Sequence, residues 1–183
     1  MVNRIILLLI VAAIIIIAII AIAVLPSLHK TSIVLTKDQF VALSGPGGTY
    51  NATQYANSTA LNAELNATPM GNSPYFWNNV ISLWRASYVS SSMLSEEFVF
   101  EVRSPSEALF VYKSLLETAP SMNVTNATSD GMTYSYAYEA GSNPYTNVTG
   151  LAAYKNDYFI YFFSKGNHIS PAGAAADIAG DLP

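Results

Sequence analysis

The chain has 183 residues, which is enough for one domain of ordinary size and a short additional segment. Only 11% of its residues are charged, against about 25% in typical soluble domains, and the formal net charge is −4. The sequence has no basic stripe, which argues against nucleic-acid binding. It has no cysteine, which excludes disulfides and thiolate-based zinc or iron–sulfur sites.

The scarcity of charge also bears on the environment of the protein. Carboxylates that are charged in the folded state destabilise it when acid protonates them, so a surface with few carboxylates has little to lose in acid. We therefore hypothesise an acidophilic, archaeal-like source.

The N-terminal segment is apolar over a length that fits a membrane. Residues 5–25 contain only Ile, Leu, Val and Ala, and Pro26 ends the run. As a helix, such a run spans about 30 Å, the thickness of the hydrocarbon layer of a bilayer. We predict a retained transmembrane anchor in contact with lipid. A leader cleaved after Ala23 is the alternative, although the run is longer than the apolar region of an ordinary signal peptide.

These features divide the chain into three parts. We predict an anchor over 1–26, a tether over 27–32 and one extracytoplasmic domain over 33–183. Within this domain, the sequence predicts glycosylatable loops at 44–73 and 120–131.

Six asparagines stand in N-x-T acceptor motifs for N-glycosylation. All six motifs use Thr, although Ser is the commoner of the two residues in this chain. Glycosylation requires export and surface exposure, so the motifs predict a cytoplasmic N-terminus and an extracellular C-terminal domain. The predicted glycosylation sites are Asn51, Asn57, Asn66, Asn123, Asn126 and Asn147.

The first half of the domain contains a mixture of short elements. Residues 33–35 suggest a strand, and a helix over 36–43 would have Thr36 as its cap. A marginal helix over 54–65 lies within the first glycosylatable loop. The spacing of Trp77, Val80, Ile81 and Trp84 predicts a short helix over 75–84.

Two strands and a helix follow. Residues 86–93 and 96–103 are strand-like, and the second alternates clearly between apolar and charged side chains. We interpret Glu97 and Glu101 as members of a solvated polar face. Ser104-Pro105-Ser106-Glu107 is typical of a helix start with a capping box.

The last part repeats this order. Residues 132–138 alternate as a strand, and 148–154 and 158–164 form a predicted hairpin with its turn near Asn156. Ser170 caps a final helix with Ala174, Ala175, Ile178 and Leu182 facing inward. We predict an α+β fold, with an antiparallel sheet and helices packed on one face. The repeated strand-strand-helix order is either an internal duplication or a common supersecondary pattern.

No set of residues indicates a reaction. The sequence lacks GxSxG and SxxK motifs, a phosphate-binding loop and a closely spaced histidine pair, so we expect no enzyme activity, no cofactor and no metal. His168 is interpreted as an exposed turn residue. Tyr134, Tyr136 and Tyr138 form a stripe that is either a recognition surface or one half-buried face of a strand.

The sequence favours a non-enzymatic role. We expect a binding or accessory module of a cell-envelope complex, with other membrane or envelope proteins as partners. A structural subunit of a surface layer or filament is the alternative, and a hydrolase is the least favoured interpretation.

Overall fold

The structure is a computed structural model that describes residues 33–56, 58–67, 78–118, 125–143, 146–166 and 169–183. The predicted anchor and tether lie outside the described residues. Among the described residues, no helix combines the length and the apolar character that a membrane span requires.

Four helices and seven strands are described between Ile33 and Pro183. In chain order they are α1 (Lys37–Ser44), β1 (Thr49–Tyr55), α2 (Ser58–Ala67), β2 (Val80–Val89), β3 (Leu94–Val102), α3 (Pro105–Thr118), β4 (Thr125–Ser129), β5 (Met132–Glu139), β6 (Asn147–Lys155), β7 (Tyr158–Gly166) and α4 (Pro171–Asp181).

The strands form one sheet with the order β1-β2-β3-β7-β6-β5-β4. Every neighbouring pair described is antiparallel. The central strand is β7, which lies between β3 and β6. In the pair of β3 and β7, Val99 stands opposite Ile160 and Glu97 opposite Phe162. This mostly antiparallel α+β architecture confirms the predicted class.

The prediction that the helices pack on one face is wrong. Phe40 of α1 and Ile178 of α4 belong to an apolar core on what we call the first face of the sheet. Leu65 of α2 and Val111 of α3 belong to a separate core on the second face. Period-two patterning reveals which side chains share a face, but not whether the opposite face also receives a helix.

The two strand-strand-helix units are not related by a two-fold axis between β3 and β7. Such an axis through an antiparallel pair runs perpendicular to the sheet and would keep both following helices on the same face. Here α3 follows β3 onto the second face, whereas α4 follows β7 onto the first. The repeated order therefore does not produce a symmetric packing of the two units.

The helix starts follow the sequence closely. Thr36 caps α1, with Gln39 completing a capping box. Ser104 accepts a hydrogen bond from the Glu107 N–H, and the Glu107 carboxylate accepts one from the Arg103 N–H. Ser170 caps α4, and all four residues predicted to face inward from the last helix are buried.

Four local predictions differ from the structure. Residues 33–35 form no strand, and Val80–Trp84, predicted as helix, lies in β2, where Leu83 and Trp84 pair with β3. The predicted loop over 44–73 contains β1, and the loop over 120–131 contains β4. The helix predicted over 54–65 within the first loop corresponds to α2, which begins four residues later. β1 and β4 are edge strands with mostly exposed, polar residues. A sequence of this composition is also typical of a loop, which is why the sequence predicts loops for both strands.

The Gly-rich segment after α1 has a structural role. The buried Tyr88 hydroxyl donates to the Gly45 carbonyl at 2.9 Å and accepts from the Gly48 N–H at 2.8 Å. A Cβ on Gly48 would lie 2.4 Å from the Tyr88 ring. The segment therefore encloses the end of the Tyr88 ring and provides hydrogen-bond partners for its hydroxyl group.

Candidate functional site

Four of the six acceptor asparagines fall within the described residues. Asn51 on β1, Asn66 on α2 and Asn126 on β4 are exposed, and Asn147 at the start of β6 is partly exposed. Asn57 and Asn123 lie outside the described residues. The four described sites therefore all reach solvent.

Two of these side chains also make internal hydrogen bonds. The Oδ1 of Asn126 accepts from the Ser135 hydroxyl, and the Oδ1 of Asn147 accepts from the Gly141 N–H at 3.0 Å. A sugar would be attached to Nδ2, so both bonds are compatible with a glycan. Occupancy of all six sites stays a prediction.

The tyrosine stripe on β5 passes from the core to the surface. Tyr134 is buried, Tyr136 is partly buried, and Tyr138 is 38% exposed. The rings of Tyr134 and Tyr136 lie 6.2 Å apart and belong to, or pack against, the first-face core. Only the Tyr138 end of the stripe offers a solvent-exposed ring, so most of the predicted recognition surface serves packing.

The carboxyl group of Glu97 is placed differently from the sequence prediction. Glu97 is fully buried, not part of a solvated face. Its neighbours on the same face of β3 include Val99, which is equally buried because α1, α4 and the segment before α1 cover this face. Consecutive apolar residues at Phe98, Val99 and Phe100 signal burial on both faces of a strand.

One backbone contact holds the Glu97 carboxyl. The Leu35 N–H donates to its Oε2 at 2.6 Å, while Oε1 has no hydrogen-bond partner within the described part of the chain. Tyr50 closes over the same segment, since its hydroxyl donates to the Leu35 carbonyl at 2.9 Å. Removal from water raises the pKa of Glu97 to about 8; the Leu35 hydrogen bond opposes this shift and the charge of Asp181 adds to it.

The raised pKa alone does not make Glu97 a catalytic acid. A general acid must reach a substrate, and this carboxyl has no exposed surface. The group is instead a buried, protonated side chain at neutral pH that connects β3 to the segment entering the domain.

Arg85 organises a second polar cluster on the other face. It donates to Glu64 of α2 at 2.6 Å and also to Glu96 of β3. Its guanidinium carbon lies 5.3 Å from the centre of the Phe98 ring. The cluster fastens α2 to two strands, which is a structural role.

The remaining candidate ligands for a metal are scattered. Asp181 accepts a hydrogen bond from the Gln39 amide at 3.0 Å, and burial raises the pKa of Asp177. His29 and His168 lie outside the described residues. Within the described ranges, no three His, Asp or Glu side chains are grouped as a metal site would require.

An apolar cavity of about 150 Å³ lies on the second face, beside the C-terminal end of α3. Leu115, Leu116, Val148, Tyr161 and Phe163 supply much of its wall, and Gly150 leaves one side open because it has no side chain. A cavity of this volume can hold an apolar molecule about the size of benzene.

A series of side-chain hydrogen bonds ends at the cavity. Ser135 lines the wall and shares hydrogen bonds with Tyr112 and with the acceptor asparagine Asn126. The site offers a hydroxyl at one point and apolar surface elsewhere, which suits binding of a small apolar group more than chemistry.

Comparisons with known proteins give a fold and no family. No family model matches the chain, and no curated protein matches it either. Among solved structures, it is similar to the extracellular domain of PknH from Mycobacterium tuberculosis, with a TM-score of 0.53, 11% identity, and coverage of 81% of this chain and 90% of that one. At this identity, the similarity establishes a shared fold only.

Proposed function

We propose that the protein is a single-pass, membrane-anchored and N-glycosylated extracytoplasmic module that binds or assists other components of a cell-envelope complex without catalysing a reaction. The placement of the described acceptor asparagines supports this proposal most. Asn51, Asn66 and Asn126 are exposed, and the internal bonds of Asn126 and Asn147 use the oxygen that a glycan leaves free.

Two further observations support it. The apolar run over residues 5–25 has the length of a membrane span. The fold of the domain is shared with an extracellular domain. The apolar cavity beside α3 supports a binding role, because it has apolar walls and few polar groups.

The decisive experiment is the intact mass of the full chain, made in a host with N-glycosylation and purified from its membranes, before and after glycan removal. We expect a chain that retains residues 1–26 and carries several glycans. A chain that begins at Val24 would contradict the anchor, and a full-length chain without glycans would contradict the extracellular placement.

The accessory role has its own test. We expect chemical cross-linking in native membranes, followed by purification in mild detergent, to recover the protein with envelope partners. Recovery only as a monomer would contradict the accessory role but leave the topology intact.

A structural subunit of a surface layer or filament is the second candidate. The exposed edge strands β1 and β4 favour it, since they could pair between copies of the chain. Regular polymers of the native protein, visible by electron microscopy, would favour this second function over the first.

A further inference from the structure

Within the described part of the chain, the two outer strands of the sheet carry neither charged residues nor proline. β1 and β4 stand at the ends of the strand order, so each presents one side of its backbone without a described strand partner. Most of their residues are exposed. Natural edge strands avoid pairing with other chains through short length, charged residues, proline, bulges or a covering element. β4 is short, but TYNATQY and TNATS contain no charged residue and no proline.

Both edge strands instead contain an acceptor motif for a glycan. Asn51-Ala52-Thr53 lies within β1, and Asn126-Ala127-Thr128 lies within β4. In sequence, Asn57 follows the end of β1 by two residues and Asn123 precedes β4 by two. Four of the six motifs are therefore in or immediately beside strands that are only seven and five residues long.

The side chains of Asn51 and Asn126 also project from the same face of the sheet. Asn51 is adjacent in β1 to Tyr50, which packs on the first-face core, so the Asn51 side chain points to the second face. Asn126 stands opposite Ser135, whose hydroxyl bonds Tyr112 of α3 on that second face. An incoming strand would lie about 4.8 Å from the edge, within reach of a sugar on either side chain.

We infer that glycans on Asn51 and Asn126 block the two sheet edges against strand pairing with a second copy of this chain. This inference rests on the proposed glycosylation and adds a function for two of the six sites. It also gives the two uncharged edge strands a protection that charged residues or proline supply in other proteins.

Changes at the Thr of each motif separate the glycan from the polypeptide. Thr53 and Thr128 are exposed, and each supplies the hydroxyl residue, Thr or Ser, that the acceptor motif requires two positions after the asparagine. Thr53→Ala with Thr128→Ala removes both glycans. Thr53→Ser with Thr128→Ser retains both motifs. Thr53→Lys with Thr128→Lys removes both glycans but places a positive charge on each edge.

The full chain would be produced with each pair of changes in a host with N-glycosylation and compared in one detergent. Intact mass counts the glycans, light scattering after size exclusion gives the particle mass, and infrared spectroscopy detects intermolecular strand pairing. We expect the alanine pair to form at least several-fold more large particles than the wild type. The serine and lysine pairs should match the wild type, as should Asn66→Gln, which removes a glycan from a helix.

The outcomes distinguish this inference from the proposed function. If the alanine pair has lost both glycans and remains as dispersed as the wild type, the shielding inference is wrong and the glycosylated module stands. If Asn51 and Asn126 carry no glycan while other sites do, the inference is again overturned alone. If no site is occupied, the inference and the proposed glycosylation fail together.

Discussion

The Glu97 carboxyl, in the middle of the sheet, accepts a hydrogen bond from the backbone N–H of Leu35, which lies 62 residues earlier at the start of the described domain. Both residues are fully buried. The bond connects residues 33–35, which form no strand, to the first face of the sheet, where Val34 and Leu35 are part of the apolar core. It also makes the attachment of this segment sensitive to protonation.

The free energy of unfolding of the domain should decrease as the pH rises from mildly acidic to mildly alkaline values. The pKa of Glu97 rises from 4.5 to about 8 on folding, so the folded chain holds this proton more tightly than the unfolded chain. The stabilisation is complete below about pH 4.5 and is lost as the pH rises to about 8. Linkage sets an upper limit of about 5 kcal/mol for this loss.

Glu97→Gln tests whether Glu97 causes this pH dependence, because glutamine keeps the shape of the side chain and the hydrogen-bond acceptor but cannot ionise. We expect its free energy of unfolding, from urea titrations at several pH values, to vary little over the window in which the wild type weakens. Glu101→Gln, on the same strand face, should retain the wild-type slope. Identical slopes for the wild type and Glu97→Gln would show that Glu97 is not the responsible group.

Gly48 should be one of the least replaceable glycines. In Gly48→Ala, the new Cβ would overlap the fully buried ring of Tyr88 and disturb the hydrogen bond between the Gly48 N–H and the Tyr88 hydroxyl. We expect a loss of about 1–3 kcal/mol, typical of overpacking. Thermal unfolding measured by circular dichroism would show it.

Gly180→Ala is the matched control for this change. A Cβ at Gly180 meets nothing within 4 Å, and the residue lies within α4, where alanine has the higher helix propensity. We expect it to stabilise the domain by about 0.5–1 kcal/mol. Equal effects of the two substitutions would rule out the enclosure of Tyr88.

The sequence predicted best those elements that local chemistry determines. The starts of α3 and α4 follow from Ser104 and Ser170, whose side chains satisfy the first backbone N–H groups of a helix. The hairpin of β6 and β7 follows from alternation on both sides of a short turn. These features depend on residues close together in the chain.

The errors concern pairing between distant segments. The burial of Glu97 depends on segments that lie far from β3 in the chain, and the alternation of Glu97, Glu101 and Arg103 with apolar residues resembles a solvated strand face, although Val99 between them is apolar. β4 is different, because Asp130-Gly131 is a typical hairpin turn and both residues have positive φ. That dipeptide could have revealed the β4–β5 hairpin in the predicted loop.

The Arg85 cluster should contribute modestly and in a salt-dependent way. Glu64 and Glu96 are 15% and 20% exposed, and Arg85→Met would leave both carboxylates without this cation. We expect a loss of about 1–2 kcal/mol at low salt, above the value typical of fully exposed pairs, and a smaller loss in 1 M salt. Urea unfolding at the two salt concentrations measures it, and Lys113→Met, on the exposed side of α3, should have almost no effect.

The apolar cavity beside α3 should bind a small apolar molecule and lose this ability when it is filled. Its volume of about 150 Å³ suits benzene, and a ligand at ten times its dissociation constant would raise the melting temperature by about 3–5 °C. Gly150→Leu places a side chain where a Cβ meets nothing within 4 Å, so it should abolish the shift, whereas Val89→Ala, an exposed change on β2, should retain it. No shift in the wild type at saturating benzene, or an equal shift in Gly150→Leu, would contradict binding in this cavity.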